Sequence, residues 1–322
     1  MAKVDQLYLR LLSGIVEQGY WYEDKSREVR CKQLTSLTID FDIEHEFPLL
    51  TTKKLHTKSI VGELIWFLRG LDNLEYLHEN NIRIWDKDAA NFDKKSGMDV
   101  GRNYGVQWRD WSNIQSTKIG YIPSNIDQIK NLIEGLIENP MSRRHIVTAW
   151  NPAELDQTAL PPCHWSFEVL PRPTFDFEKE LNPGLEYVFS LKWHQRSVDT
   201  FLGLPYNIAS YAILSKIIQE LTGYKSLGLI GDLSNVHLYE PHIEKAQVQM
   251  KLNPNKYGSP TFKFSENALN LFNLYKDKSV TLDHVFNTLE IEDFIFENYE
   301  SYPIIKAEMY EPTNNNTDII SD

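Results

Sequence analysis

Residues 205–222, opening Pro205-Tyr206-Asn207-Ile208, do most to limit the folds open to this chain. The stretch is long and mostly apolar. It predicts a helix at the centre of a domain, because such a surface has to be covered by other elements. It stops short of membrane-span length, as does every other apolar run in the chain. Leu7, Leu9, Leu11, Leu12, Ile15 and Val16 lie near helical spacing within residues 3–20. Ile60, Val61, Leu64, Ile65 and Leu68 mark a second helix over 58–69, with Glu63 close to its apolar side. An ionisable group there needs a partner or a purpose. Residues 124–139 predict a helix ended by Asn139-Pro140, and 243–252 another. The alternating, Thr- and Ile-containing residues 34–41 predict a strand, as do 145–150, 165–170 and 187–194. Residues 227–230 and 236–239 read as two short extended pieces, and the proline-bearing stretch 171–183 as an exposed loop. The pattern is one mixed α+β domain over residues 1–310. A polar, acidic, Asn-rich tail at 311–322 is expected to be disordered.

A chain of 322 residues with 42 % hydrophobic content can bury a sizeable core in one domain. The net charge of −12 argues against a broad phosphate-backbone face, so no direct nucleic-acid partner is expected. The arginines would instead grip a single phosphate. Cys31 and Cys163 are the only cysteines and give neither zinc spacing nor a disulfide framework, so no metal is expected. Nothing near Met1 has the apolar region of a secretion signal. The expected setting is a reducing cytoplasm, away from membranes.

Chemistry concentrates in four separated segments. Leu160-Pro161-Pro162-Cys163-His164-Trp165 fixes a thiol between prolines and a histidine. A thiolate is the best side-chain nucleophile near neutral pH, although most free cysteines are small buried hydrophobes. Trp193-His194-Gln195-Arg196-Ser197-Val198-Asp199 leads into Gly203-Leu204-Pro205-Tyr206-Asn207. Val236-His237-Leu238-Tyr239 lies downstream, and Ser142-Arg143-Arg144-His145 upstream. A nucleophile, several arginines and an amide in an apolar frame suit holding a phosphorylated nucleoside and attacking its base.

In order and spacing these segments resemble the thymidylate synthase family, which includes the synthases and the phage-type deoxypyrimidine-nucleotide hydroxymethylases. The resemblance runs from about Pro48 to about Ala307. It implies a large mixed sheet covered by helices and a homodimer paired sheet to sheet. It implies dUMP as substrate and 5,10-methylenetetrahydrofolate as co-substrate. Cys163 would add to C6 of the base, and C5 would then accept one carbon. Arg196 and Ser197 would hold the phosphate, with Arg143 and Arg144 reaching across from the other protomer. Arg30, or Arg27, would supply a further phosphate cation. Asn207 would read the base, and its carboxamide suits O4 and N3–H of uracil. His237 and Tyr239 would hold the sugar, and His164 would organise water. Glu63 and Tyr104 would manage the C5 proton, with Glu63 raised in pKa by its apolar surroundings. His56, Trp85, Asp199 and Gly203 would take the folate.

Three departures from the synthase pattern bear on the outcome. Asp88 stands where a second tryptophan is expected, three residues after Trp85. Ile305-Lys306-Ala307 runs on past the point where a synthase ends, so the usual terminal closure is not expected. Gly231-Asp232-Leu233-Ser234-Asn235-Val236-His237 is longer than the synthase loop, and Arg102-Asn103-Tyr104-Gly105 resembles the hydroxymethylase version. Weaker water exclusion favours quenching by water over quenching by hydride. The sequence therefore ranks a dUMP hydroxymethylase first and a thymidylate synthase second. An inactive nucleotide- or RNA-binding relative ranks last. The first reading also implies a phage origin and a role in DNA modification.

Overall fold

The computed structural model describes residues 4–25, 27–117 and 120–310. In chain order, α1 (Val4–Gln18) leads into the hairpin β1 (Tyr20–Asp24) and β2 (Val29–Asp42). Helices α2 (Thr57–Leu68), α3 (Glu75–Glu79), α4 (Asp86–Phe92) and α5 (Tyr104–Arg109) follow. The hairpin β3 (Trp111–Thr117) and β4 (Gly120–Ile126) precedes α6 (Gln128–Glu138) and β5 (Ile146–Thr148). Next come β6 (His164–Pro173), α7 (Asp176–Leu181), β7 (Tyr187–Gln195), β8 (Val198–Asp199) and α8 (Leu204–Thr222). Then follow β9 (Lys225–Tyr239), α9 (Glu240–Met250), β10 (Thr261–Phe264), α10 (Glu266–Lys276), α11 (Leu282–Thr288) and β11 (Phe294–Glu297).

Among the described residues the main sheet has seven strands, in the order β1-β2-β9-β7-β6-β5 with β8 beside β9. Strand β9 runs parallel to β7 and antiparallel to β2, so the sheet is mixed. Helix α8 takes the central place its composition demands. It packs on β7 and β9 on one side and on α2, α6 and α10 on others. Pro205 sits in its first turn, where an N–H has no helical partner anyway. Gly223 ends it with φ of +76°, a left-handed cap that favours glycine. Ile208, Ile213, Leu214 and Ile217 are all buried along it.

The inward face of β7 carries Leu191, Trp193 and Gln195, all buried. The opposite face carries Lys192 and His194. His194 pairs with Glu168 at 3.2 Å and Asp232 at 3.4 Å, and Lys192 reaches Asp232 at 3.4 Å. Period-two alternation therefore separates a core-facing sheet surface from a charged outer one.

The structure corrects several element assignments. The pieces at 227–230 and 236–239 are one continuous strand, β9. Residues 231–235 are not a loop: Gly231 pairs with Ile39 and Trp193, and Leu233 with Leu37 and Gln195. Gly231 resembles a breaker in sequence, yet its missing side chain is a packing device. An added Cβ would stand 2.5 Å from Trp193 Cη2 and Cζ2, and 2.8 Å from Ile39 Cγ1. Helix α6 starts at Gln128 rather than at 124, because Asp127 caps it through Lys130 N–H and 124–126 belong to β4. The predicted loop at 171–183 instead continues β6 to Pro173 and then forms α7. The tail at 311–322 lies outside the described residues.

Gly231→Ala should destabilise the fold by about 1–3 kcal/mol, the range for overpacking a rigid core position. Urea denaturation would measure it, and a neutral result would mean that β9 shifts freely past Trp193.

Candidate active site

Cys163 sits just before β6, and a hydrogen bond from Arg196 N–H to its carbonyl (2.8 Å) ties it to the end of β7. Arg196 also clamps the preceding prolines. Its Nε donates to Pro162 O at 2.9 Å and one Nη to Pro161 O at 2.8 Å. The guanidinium lies over the Trp150 ring, 5.0 Å from its centroid. Tyr104 approaches from α5, which lies close against α2 because Gly105 faces the Phe67 backbone without a side chain between. The Tyr104 hydroxyl accepts from Cys163 N–H at 2.7 Å. Its ring stacks on His164 with centroids 4.1 Å apart. His164 Nδ1 meets the Tyr211 hydroxyl from α8 at 2.9 Å. Helix α8, β6 and α5 thus hold the thiol's surroundings from three directions.

Burial pushes the Cys163 thiol above its ordinary value, Arg196 and Arg27 pull it down, and Asp88 and Asp199 push it up. Those four charges therefore converge on one sulfur. Burial also lowers His164 to about 3, so its imidazole is neutral. Glu63 is raised to about 7 by burial, although the Trp85 indole donates to it at 2.7 Å. Tyr104 is pushed well above the ordinary phenol value, chiefly by burial.

Near the end of β9, His237 Nδ1 lies 2.8 Å from the Asn235 carbonyl. That contact requires a proton on Nδ1. Burial lowers the pKa of His237, so the ring is neutral and Nε2 is an acceptor. Nε2 is buried with no hydrogen-bond partner. An orphaned buried acceptor is costly unless a ligand donor reaches it. Tyr239 lies beside it, with ring centroids 5.0 Å apart.

The structure separates the two N-terminal arginine candidates. Arg27 is partly buried, its charge felt by Cys163 and Tyr239. Its Nη1 meets Asp24 at 3.1 Å, and its Nε donates to Tyr310 O at 3.2 Å. Arg30 instead lies exposed over the Trp21 ring and pairs with Glu240 at 3.5 Å. Strand alternation puts it on the face opposite buried Cys31, so Arg27 is the better placed of the two. Arg143 and Arg144 are exposed in the turn before β5 and form no ion pair among the described residues. Ser197 carries a partly exposed side chain beside Arg196.

Asp199 Oδ1 accepts from Phe201 and Leu202 N–H, both at 3.0 Å, leaving Oδ2 without a partner among the described residues. Gly203 sits between Asp199 and Asn207, where a Cβ would stand 3.2 Å from Asp199 O. His56 is exposed at the start of α2. Trp85 is only 7 % exposed, packed between Trp66 and Tyr104, so most of its ring is core. Near Asp199 the sequence reading missed Lys53. Its ammonium bonds the Phe201 carbonyl and lies over that ring, and burial lowers its pKa to about 7. Neighbouring Lys54 is exposed, and nothing in Thr51-Thr52-Lys53-Lys54 tells the two apart before folding.

Residues 308–310 lie against the Tyr239 side of this cluster. Tyr310 packs on Tyr239 and His242, with centroids 5.2 and 5.6 Å apart. His242 Nε2 contacts Glu308 O at 2.8 Å.

A family model described as thymidylate synthase matches residues 6–311. The chain belongs to the thymidylate synthase family. Membership makes it an enzyme, a one-carbon transferase, and carries the family's chemistry in general: folate-dependent transfer of one carbon to C5 of dUMP. The single mixed α+β domain is the thymidylate synthase fold. No helix among its described residues is long and apolar enough to cross a membrane.

Glu63 yields a pH prediction with a definite sign. Its pKa is raised in the fold, so its contribution to stability is full below the ordinary value of 4.5 and is lost as pH rises through about 7. Glu63→Gln removes that titration. Its Tm should gain on the parent's as pH climbs from about 5 to about 8. A constant Tm difference across that range would mean that Glu63 is not buried as described.

Proposed function

We propose that this enzyme is a dUMP hydroxymethylase, in which water completes the reaction and gives 5-hydroxymethyl-dUMP. The observation that carries the choice is Asp88. Burial is the main cause of the raised Cys163 thiol and the Asp88 carboxylate adds to it, so an anionic, water-holding group lies within electrostatic reach of the reacting sulfur. One observation favours the synthase alternative: the cover made by residues 308–310 over Arg27 and Tyr239 would help exclude water.

Cys163 is the nucleophile. Arg196 and Arg27 favour its thiolate by direct charge attraction. The thiolate adds to C6, and the displaced electron pair moves through C5 to O4. C5 then bonds to the incoming carbon and loses its proton; the bond from that carbon to the folate nitrogen breaks, tetrahydrofolate departs with the electron pair, and an exocyclic methylene remains on C5. Glu63 and Tyr104 serve that transfer, since a carboxyl titrating near 7 can take and return a proton. Water adds to the exocyclic methylene and gives up its own proton. The S–C6 bond breaks and returns the thiolate. Neutral His164, fixed by Tyr211 and stacked on Tyr104, orders water without acting as a base.

The phosphate is held by Arg196, Arg27 and Ser197. Arg143 and Arg144, uncommitted on an exposed turn, are assigned to the partner's phosphate in a homodimer. The outer sheet face suits that pairing, with Trp165 38 % and Leu170 42 % exposed beside the His194 charges. His237 Nε2 accepts from a sugar hydroxyl, which supplies its missing donor, and Tyr239 lies alongside. Asn207 reads the base. When bound, methylenetetrahydrofolate supplies one carbon at the formaldehyde level. The free Oδ2 of Asp199 suits a ring N–H of that group, with Gly203, His56, Lys53 and the edge of Trp85 around it. A phage origin and a role in DNA modification go with the water-quenched product.

Cys163→Ala should abolish turnover while leaving dUMP binding by calorimetry within a few-fold. Product formed by that variant would remove Cys163 from the mechanism. Asn207→Asp should move the dUMP/dCMP preference toward dCMP by at least about tenfold, the scale of one discriminating polar contact. The outcome is tested by incubating the enzyme with dUMP and methylenetetrahydrofolate, weighing the nucleotide, and following dihydrofolate by absorbance. Hydroxymethyl-dUMP without dihydrofolate is expected, and dTMP with stoichiometric dihydrofolate makes the enzyme a synthase.

A further inference from the structure

A carboxamide cannot by itself choose between uracil and cytosine. Turned by half a rotation about its last bond, an asparagine presents an acceptor where it had a donor. Uracil offers acceptor O4 and donor N3–H, and cytosine offers the reverse. Asn207 therefore discriminates only if something of fixed polarity sets its orientation.

The contact that sets it comes from Gln195, whose Nε2 donates to Asn207 Oδ1 at 3.1 Å. Gln195 is another carboxamide, so the question moves one residue back. Its Nε2 also donates to Ser197 O at 3.1 Å, and its Oε1 accepts from Trp193 Nε1 at 3.2 Å. An indole N–H only donates and a carbonyl only accepts. The two ends of Gln195 are therefore distinguished. Reversing it would set two N–H groups against each other and leave the Ser197 carbonyl facing an oxygen. Trp193 is fully buried, so no water can replace its N–H. Its ring stacks on Tyr211, 5.4 Å between centroids and 13° from parallel. Gly231, directly across on β9, leaves the space that this tilt requires. With Oδ1 turned to Gln195, Asn207 Nδ2 has no partner among the described residues and is left to donate to a ligand.

We propose that Trp193 is a specificity-determining positioning residue: its indole N–H sets Gln195, Gln195 sets Asn207, and Asn207 thereby presents a donor to O4 of uracil. The proposal rests on the reading of Asn207 as the base-contacting residue. Trp193 touches no substrate and acts through two side chains.

The test compares kcat/KM for dUMP and dCMP, followed by release of tritium from C5-labelled nucleotide in the presence of methylenetetrahydrofolate. This readout is the same for a hydroxymethylase and a synthase. Trp193→Phe keeps one aromatic ring to stack on Tyr211 but removes the N–H. It should lower the dUMP/dCMP ratio about five- to tenfold, the scale of one buried hydrogen bond. An equal loss on both nucleotides would reduce Trp193 to packing and overturn the proposal. Gln195→Glu is a near-isosteric second variant should Trp193→Phe fold poorly. Its carboxylate still accepts from the indole but cannot donate, so Asn207 should turn its Nδ2 inward and the preference should move toward dCMP. A ratio unchanged from the parent's would overturn the relay. Absence of any dUMP preference in the parent enzyme would instead sink the reading of Asn207 on which the proposal stands.

Discussion

The burial of α8 against β7 and β9 is the contact on which the rest of the site depends. The helix is apolar on most sides, so it is stable only where sheet and helices cover it together. Once seated, its first turn brings Gly203 and Asn207 to the end of β7, and its second brings Tyr211 between His164 and Trp193. Asn207, Tyr211, His164 and Trp193 are each polar at one end and packed at the other. Rigid packing of their apolar parts is what aims their polar ends.

Burial sets the electrostatics as well. Around Cys163 the fold removes water from a thiol, a carboxyl, an imidazole and, near Asp199, an ammonium. Each moves toward its neutral form, as desolvation requires. Arg27 and Arg196 work against that trend at the sulfur, and Asp88 and Asp199 work with it. A site poised between these influences responds strongly to a bound anion or to a change at one carboxylate. Under the proposed reading, the position held by Asp88 therefore weighs on the choice between water and hydride.

Much of this was legible in the chain. The central helix, the two strands next to Cys163 and Gln195, and the order of the four motifs follow from period, composition and local chemistry. The misreadings have specific causes. Gly231 interrupts an apolar run, and glycine in a strand looks like a turn unless the Trp193 ring across from it is known. Residues 124–126 carry enough helical pattern to extend α6, but pairing with β3 and the Asp127 cap overrule it. Arg27 and Arg30 differ by three positions in the same short stretch. Only the path of the β1–β2 hairpin decides which one the thiol feels.

The sequence by itself determined the family, the candidate nucleophile and the residue types available to hold a phosphorylated pyrimidine, because those depend on side-chain chemistry in a fixed order. The tertiary structure alone decided which of two lysines is buried, which arginine faces Cys163, and that residues 308–310 cover Tyr239. It also decided the direction in which the Gln195 and Asn207 amides point. Those outcomes arise from contacts between segments far apart in the chain. Burial and hydrogen-bond polarity belong to the assembled surroundings and cannot be read from a residue's immediate neighbours.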